Sequence, residues 1–145
     1  MKAVIQRVRQ TSLSVGGQLI SRIPFGLAVY LGVKAGDELP LCAQMAGKIS
    51  RLRIFEDENG KMNRSVQDVG GEVLLISQFT LYGDCSHGNR PGFTLAERPE
   101  RANALYERVA EELRTLGVTV KTGVFGADMK IEQYNDGPVT IIYEI

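Results

Sequence analysis

The chain has 145 residues, 17 Lys and Arg balanced by 17 Asp and Glu, one His, two Cys and 43% hydrophobic residues. That length and balance describe one globular domain burying roughly two-thirds of the surface its unfolded form exposes. They exclude a disordered or fibrous chain and an overall positive field able to gather long stretches of nucleic acid. No apolar run approaches the ~20 residues that span a bilayer, and the opening MKAVIQRV is too polar for a signal peptide, so a cytoplasmic location is expected.

Residues 2–8, KAVIQRV, alternate apolar and polar positions and predict a strand with both faces partly covered. SLSV and QLIS flank Gly16-Gly17, a two-residue link suited to a primed hairpin turn. GLAVYLGV, residues 26–33, is a short apolar run bounded by Pro24 and Gly36 and predicts a buried strand in mid-sheet. Leu41, Met45, Ile49 and Leu52 then recur at helical spacing, with Asp37 placed to cap the helix. Asn59-Gly60 within EDENGKMN predicts a tight hairpin.

After Gly70-Gly71, EVLLISQFTLY reads as a central strand running into the loop GDCSHGNRPGF. Pro99 opens and Gly117 closes a second helix, whose buried stripe is Ala102, Leu105, Tyr106, Val109, Leu113 and Leu116. VTVKTGV and MKIEQY follow as strands, and Asn135-Asp136-Gly137 is expected to turn the chain into a last hairpin strand, PVTIIYEI. With no repeat, low-complexity stretch or linker, residues 1–145 are expected to form a single α+β domain. Its sheet should be mostly antiparallel, in two packed layers or a barrel-like form, with two main helices.

Ser77 and Thr80 put hydroxyls at the end of a central strand, where the following loop often carries a site. A hydroxyl nucleophile usually needs a base; the only His, His87, is ten residues on, and no GxSxG elbow surrounds Ser77. Hydroxyls that bond backbone are the competing reading. Asp84, Cys85 and His87 look ligand-rich, but a closed zinc site takes about four ligands and an open one three, so a solvated loop with two free thiols in the chain and no metal is expected. Glu56, Asp57 and Glu58 flank a turn and read as a solvated tip, and Glu111 and Glu112 as the outer face of a helix. GVFGAD lacks the Lys and Ser/Thr of a phosphate loop, so no nucleotide cofactor is indicated. Arg51, Arg53, Arg64 and Arg90 could serve phosphates, though scattered arginines are more often surface ion pairs. The residues alone therefore lead to a candidate site around residues 77–90.

SQFTLYGD (Ser77 to Asp84) and NDGPVT (Asn135 to Thr140) closely resemble the D-aminoacyl-tRNA deacylases, once called D-tyrosyl-tRNA deacylases. The likeness spans essentially the whole chain, including MKAVIQRV, LRIFEDENGKMNRSVQDVGGE, GNRP and TGVFGADMK. It implies a homodimeric cytoplasmic hydrolase, without metal or organic cofactor, that removes D-amino acids, and in some cases glycine, from mischarged tRNA. It further implies that Ser77, Gln78, Phe79 and Thr80 line the catalytic pocket and that the terminal ribose 2′-hydroxyl of the tRNA assists hydrolysis. In the same picture Gly137-Pro138 is a cis pair that reaches into the partner's pocket and excludes L side chains. Arg7 supports that pair, and Phe125 and Met129 pack near the terminal adenosine. Expected partners are a second copy and the aminoacylated 3′ end of tRNA, with neither DNA nor membrane. The loop CSHGNRPGF departs from the family's often more basic stretch before Gly88 and its serine at position 92, which leaves acceptor-stem contacts unassigned. Two other readings stay open: hydrolysis of a different ester with Thr80 or Ser77 as nucleophile, and a non-catalytic module that holds a tRNA end.

Overall fold

The fold, taken from a computed structural model describing residues 1–145, is built outward from its first strand. β1 (Lys2–Val15) runs without a break through KAVIQRV and SLSV, and Gly16 and Gly17, at φ +57 and +82, turn it into β2 (Gln18–Ile23). Both turn positions need positive φ, which glycine adopts without a Cβ clash. β2 and β3 (Gly26–Gly32) lie along one edge of β1, Thr11 facing Ile23 and Val8 facing Gly26 in one antiparallel register that shifts between Leu13 and Ser14 near the turn. Pro24, which has no N–H to give to a ladder, sits in the break between them.

β6 (Glu72–Ser77) pairs parallel with β3, and β7 (Thr119–Thr122) pairs parallel with β6. Gly26 permits the first of these ladders, because a Cβ there would lie 1.9 Å from the Glu72 carbonyl oxygen. The order β2-β1-β3-β6-β7 curls until the Ser21 hydroxyl on β2 donates to the Thr122 carbonyl on β7 at 2.7 Å. The result is a nearly closed barrel in which antiparallel and parallel ladders mix. A small separate ladder joins β4 (Phe55–Glu56) to β5 (Met62–Arg64) around the Asn59-Gly60 turn.

Two helices, α1 (Pro40–Arg51) and α2 (Pro99–Thr115), cover one face of the sheet. Leu27, Val29 and Leu31 of β3 and Val73 and Leu75 of β6 meet Met45, Ile49, Leu105, Val109 and Leu113 in the larger core. Ala28, Leu74 and Ile76 point the other way, into the curl of the barrel, against Val8, Leu13 and Ile23. Strands covered on both faces read as continuous apolar runs, which is why GLAVYLG and EVLLIS lack alternation. None of the helices is long and apolar enough to cross a membrane.

Four details depart from the sequence reading. Asp37 does not cap α1: its Oδ2 accepts the Lys34 N–H at 2.7 Å and lies 2.8 Å from the Met1 amine, while Leu39 precedes the helix without a side-chain cap. Leu116 is 39% exposed, because α2 has ended and Gly117, at φ +85, takes the left-handed closing position. FTLY does not extend β6 but forms a 3-10 turn, Phe79–Tyr82. Finally, PVTIIYEI is no second arm of a hairpin: β8 (Met129–Glu144) is one strand that follows the free edge of β1 from end to end.

Candidate active-site cleft and the Gly-Pro bulge

The chain stops being strand at Ser77 because β6 has reached the end of its partner β3. The Gln78 N–H still reaches the Leu31 carbonyl at 2.8 Å, and the next residues wind into the 3-10 turn. That turn packs directly over Gly32, where a Cβ would lie 3.0 Å from the Gln78 oxygen and 3.2 Å from the Leu81 Cβ. Sheet end, turn and α2 together leave a cleft of about 300 Å³ at the carboxyl ends of the parallel strands, the place where ligands commonly sit in such sheets.

Ser77, Gln78 and Phe79 form one wall of this cleft and Phe125 and Met129 another. Ile76 and Tyr106 contribute to the lining between them. Phe79 is 56% exposed at the mouth and stacks edge-on against Phe93 with centroids 5.1 Å apart. Gly123 seats the far wall: a Cβ there would come within 2.7 Å of the Met129 Sδ. The Leu75 carbonyl ties α2 and the far wall to β6, accepting the Tyr106 hydroxyl at 2.7 Å and the Gly123 N–H at 3.1 Å.

Few groups in the cleft can act as acids or bases. Burial pushes the Tyr106 phenol up to about 12, so it remains a protonated donor. The lining contains no His or Cys, and its one carboxylate, Asp128, is exposed and 3.1 Å from the Lys130 ammonium. Thr80 stands outside the lining, its hydroxyl accepting a bond from the Gln78 amide. His87 and Cys85 lie at the exposed tip of a loop pinned by reciprocal Asp84 and Gly92 backbone bonds, both 2.8 Å. The Ser86 N–H bonds the Asp84 carboxyl and holds it below its usual range. No three His, Cys, Asp or Glu side chains converge to hold an ion.

The second predicted segment lies apart from this cleft. Gln6 faces Thr140 and Val8 faces Asn135, so on β1 only Arg7 spans Asp136, Gly137, Pro138 and Val139 of β8, which bulge outward. The Gly137–Pro138 bond is cis, and both residues are exposed. Arg7, only 7% exposed, fixes the base of the bulge. Its Nη1 donates to the Ile54 carbonyl at 2.8 Å, and its Nε lies 3.1 Å from the Asp136 carbonyl oxygen and 3.2 Å from the Asp136 Oδ2. Arg9 holds the other carboxylate oxygen at 3.0 Å. Charge-assisted guanidinium bonds of this kind are among the stronger polar contacts.

The structure thus gathers Ser77, Gln78, Phe79, Phe125 and Met129 in one cleft and Arg7, Gly137 and Pro138 in one bulge, with the two sites separate within a chain. Sequence reading places Tyr106 only in a helix stripe; its hydroxyl is the signal it leaves unused, since a buried phenol seeks an acceptor.

Residues 4–144 match the family model described as D-Tyr-tRNA(Tyr) deacylase. The D-aminoacyl-tRNA deacylase of Chlorobaculum tepidum is 54% identical over 145 residues, covering 99% of this chain and 97% of that protein. That of Paracoccus denitrificans is 55% identical over 141 residues, covering 97% and 95%. A solved structure described as a c-Myc DNA unwinding element binding protein superposes with a TM-score of 0.92 at 45% identity, covering 100% of this chain and 99% of that one.

Proposed function

The chain belongs to the D-aminoacyl-tRNA deacylase family, and we propose that it works as a homodimer that hydrolyses the ester between a D-amino acid and the 3′-terminal adenosine of tRNA. The observation that carries this reading is one cleft that combines the Ser77-Gln78-Phe79 wall with Phe125 and Met129. An aromatic ring and a thioether suit the faces of an adenine, and the opposite wall suits the aminoacyl ester. Such an ester is already activated, so holding it beside water and backbone donors supplies much of the required barrier reduction.

The absence of any His from the lining, and the pairing of Asp128 with Lys130, leave a hydroxyl of Ser77 or Thr80 without a base. This supports a route in which the ribose 2′-hydroxyl of the substrate assists. It also counts against the rival ester hydrolase.

Chirality follows from geometry. With amine and ester anchored, D and L residues point their side chains in opposite directions, and backbone atoms of Gly137 and Pro138 from the partner would block one of them. The exposure of both residues, the anchoring by Arg7 and their distance from the chain's own cleft support a role across an interface. Tyr134 and Ile142, 66% and 70% exposed on the same strand, give that interface apolar surface. Glycine has no side chain, so glycyl-tRNA passes the same filter.

The test sets D-Tyr-tRNA and L-Tyr-tRNA side by side with the purified protein. Release of D-tyrosine alone is expected; equal release of both, or of neither, refutes the proposal. Binding of the tRNA end without turnover of the D ester would instead favour the non-catalytic module.

A further inference from the structure

A second cleft, between the end of α1 and the end of β8, is lined by Gln44, Lys48, Arg51, Leu52, Arg53 and Tyr143. Its three cations face no carboxylate in the lining. By contrast, the clefts lined by Arg22, Arg114 and Arg101 each carry a glutamate as well: Glu132, Glu107 with Glu111, and Glu38. In a chain whose charges balance at 17 and 17, three cations collected in one recess without an anion are a local field.

The side chains are arranged rather than scattered. The Lys48 ammonium sits over the Tyr143 ring, 5.1 Å from its centroid, a cation–π contact that holds it over the cleft floor. The Arg51 guanidinium folds back over Gly47, where a Cβ would stand 2.9 Å from its Nη2. Arg53 is exposed beside Ile54, whose carbonyl accepts the Arg7 Nη1. Arg7 in turn grips Asp136 ahead of Gly137 and Pro138, so the cationic cleft and the bulge share one support. Along β8, Tyr143 follows Pro138 by five residues, roughly 16 Å of strand.

We propose that this cleft binds phosphates of the acceptor arm of the same aminoacyl-tRNA whose 3′ end is hydrolysed. The inference rests on the deacylase reading and on the Gly-Pro bulge reaching the reacting end. A bulge that touches the aminoacyl group brings the cleft alongside the strand leading to it, and guanidinium and ammonium groups are the side chains that position a phosphate backbone. The loop 84–92 contains one Lys or Arg, Arg90, against three in this cleft.

The experiment compares wild type with the triple variant Lys48→Gln, Arg51→Gln, Arg53→Gln. For D-Tyr-tRNA, KM rises at least tenfold with kcat within about twofold, and the slope of log affinity for uncharged tRNA against log salt becomes shallower by about 2 to 3. On a D-tyrosyl trinucleotide ending in adenosine, which lacks the arm, the ratio of the two KM values returns to about one. Unchanged tRNA affinity and salt slope in a folded triple variant overturn the inference, while the deacylase reading survives if wild type still hydrolyses D-Tyr-tRNA. An equal loss on the trinucleotide also overturns it, because the residues would then act through the bulge. Failure of wild type on D-Tyr-tRNA refutes the deacylase reading itself.

Discussion

The Arg7 Nε lies 3.1 Å from the carbonyl oxygen and 3.2 Å from the Oδ2 of Asp136, and this one contact converts an unpaired stretch of β8 into a fixed support for Gly137 and Pro138. Because Arg7 also caps the Ile54 carbonyl, Arg7→Ala strands two carbonyl acceptors and leaves the partly buried Asp136 carboxylate with Arg9 alone. Truncating one partner of such a network costs on the order of 3 kcal/mol. Arg7→Lys keeps the charge but not the fork, so it should recover much of the stability and little of the D-Tyr-tRNA deacylation. Urea midpoints and kcat/KM of the two variants check this; equal activity in Lys and wild-type proteins would remove the guanidinium from the argument.

Gly137 has φ +128, and a Cβ there would stand 2.9 Å from both the Val139 Cγ2 and the Val139 N. Gly137→Ala therefore costs about 1–3 kcal/mol locally and displaces the carbonyls proposed to exclude L side chains. A fall in D-Tyr-tRNA hydrolysis of at least a hundredfold, or a comparable rise in L-Tyr-tRNA hydrolysis, is expected with the melting transition still cooperative. Kinetics indistinguishable from wild type would return the segment to a plain bulge.

How much of this was readable from residues alone differs between the two sites. The helices and the buried strands follow from periodicity, since Leu105, Val109 and Leu113 face one way whatever they pack on. The Phe79–Tyr82 turn was hidden because FTLY has strand-like side chains, and only the end of β3 at Gly32 stops the ladder. The apparent last hairpin failed for a tertiary reason. NDG is a good local turn, but β1 is long enough to pair with both halves of β8, and that ladder outweighs a local reversal. Capping by Asp37 was lost likewise to a closer donor, the Lys34 N–H. Motif likeness, not spacing, carried the pairing of SQF with Phe125 and Met129, because the two walls lie some 46 residues apart in sequence and are brought together by the parallel pairing of β6 with β7 and the Gly123 N–H bond to the Leu75 carbonyl.

Thr80 lies outside the cleft, and its hydroxyl already accepts the Gln78 amide. Thr80→Ala should thus keep D-Tyr-tRNA turnover within about tenfold, the cost of one lost hydrogen bond near the site. A tRNA ending in 2′-deoxyadenosine should be hydrolysed far more slowly by wild type and variant alike. Complete loss in the Thr80 variant with full hydrolysis of the deoxy substrate would establish the hydroxyl as the nucleophile.

Tyr106 gives an alkaline test of the cleft's support. Burial raises its phenol from the ordinary 10.0 to about 12, so the folded protein holds this proton more tightly than the unfolded chain does. The associated stabilisation is complete below pH 10.0 and is lost as pH rises through about 12. Tyr106→Phe deletes that titration. Near neutral pH the variant should be less stable by about 1 kcal/mol, one net hydrogen bond, with the Leu75 carbonyl still accepting the Gly123 N–H. Tyr82, also raised by burial, is retained in both proteins and cancels in the comparison. Urea melts at about pH 7 and about pH 11 should therefore show the gap between wild type and variant closing as pH rises. A gap that stays constant would mean that Tyr106 titrates alike in folded and unfolded chains, and a gap absent already at about pH 7 would mean that its hydroxyl does not hold α2 to β6.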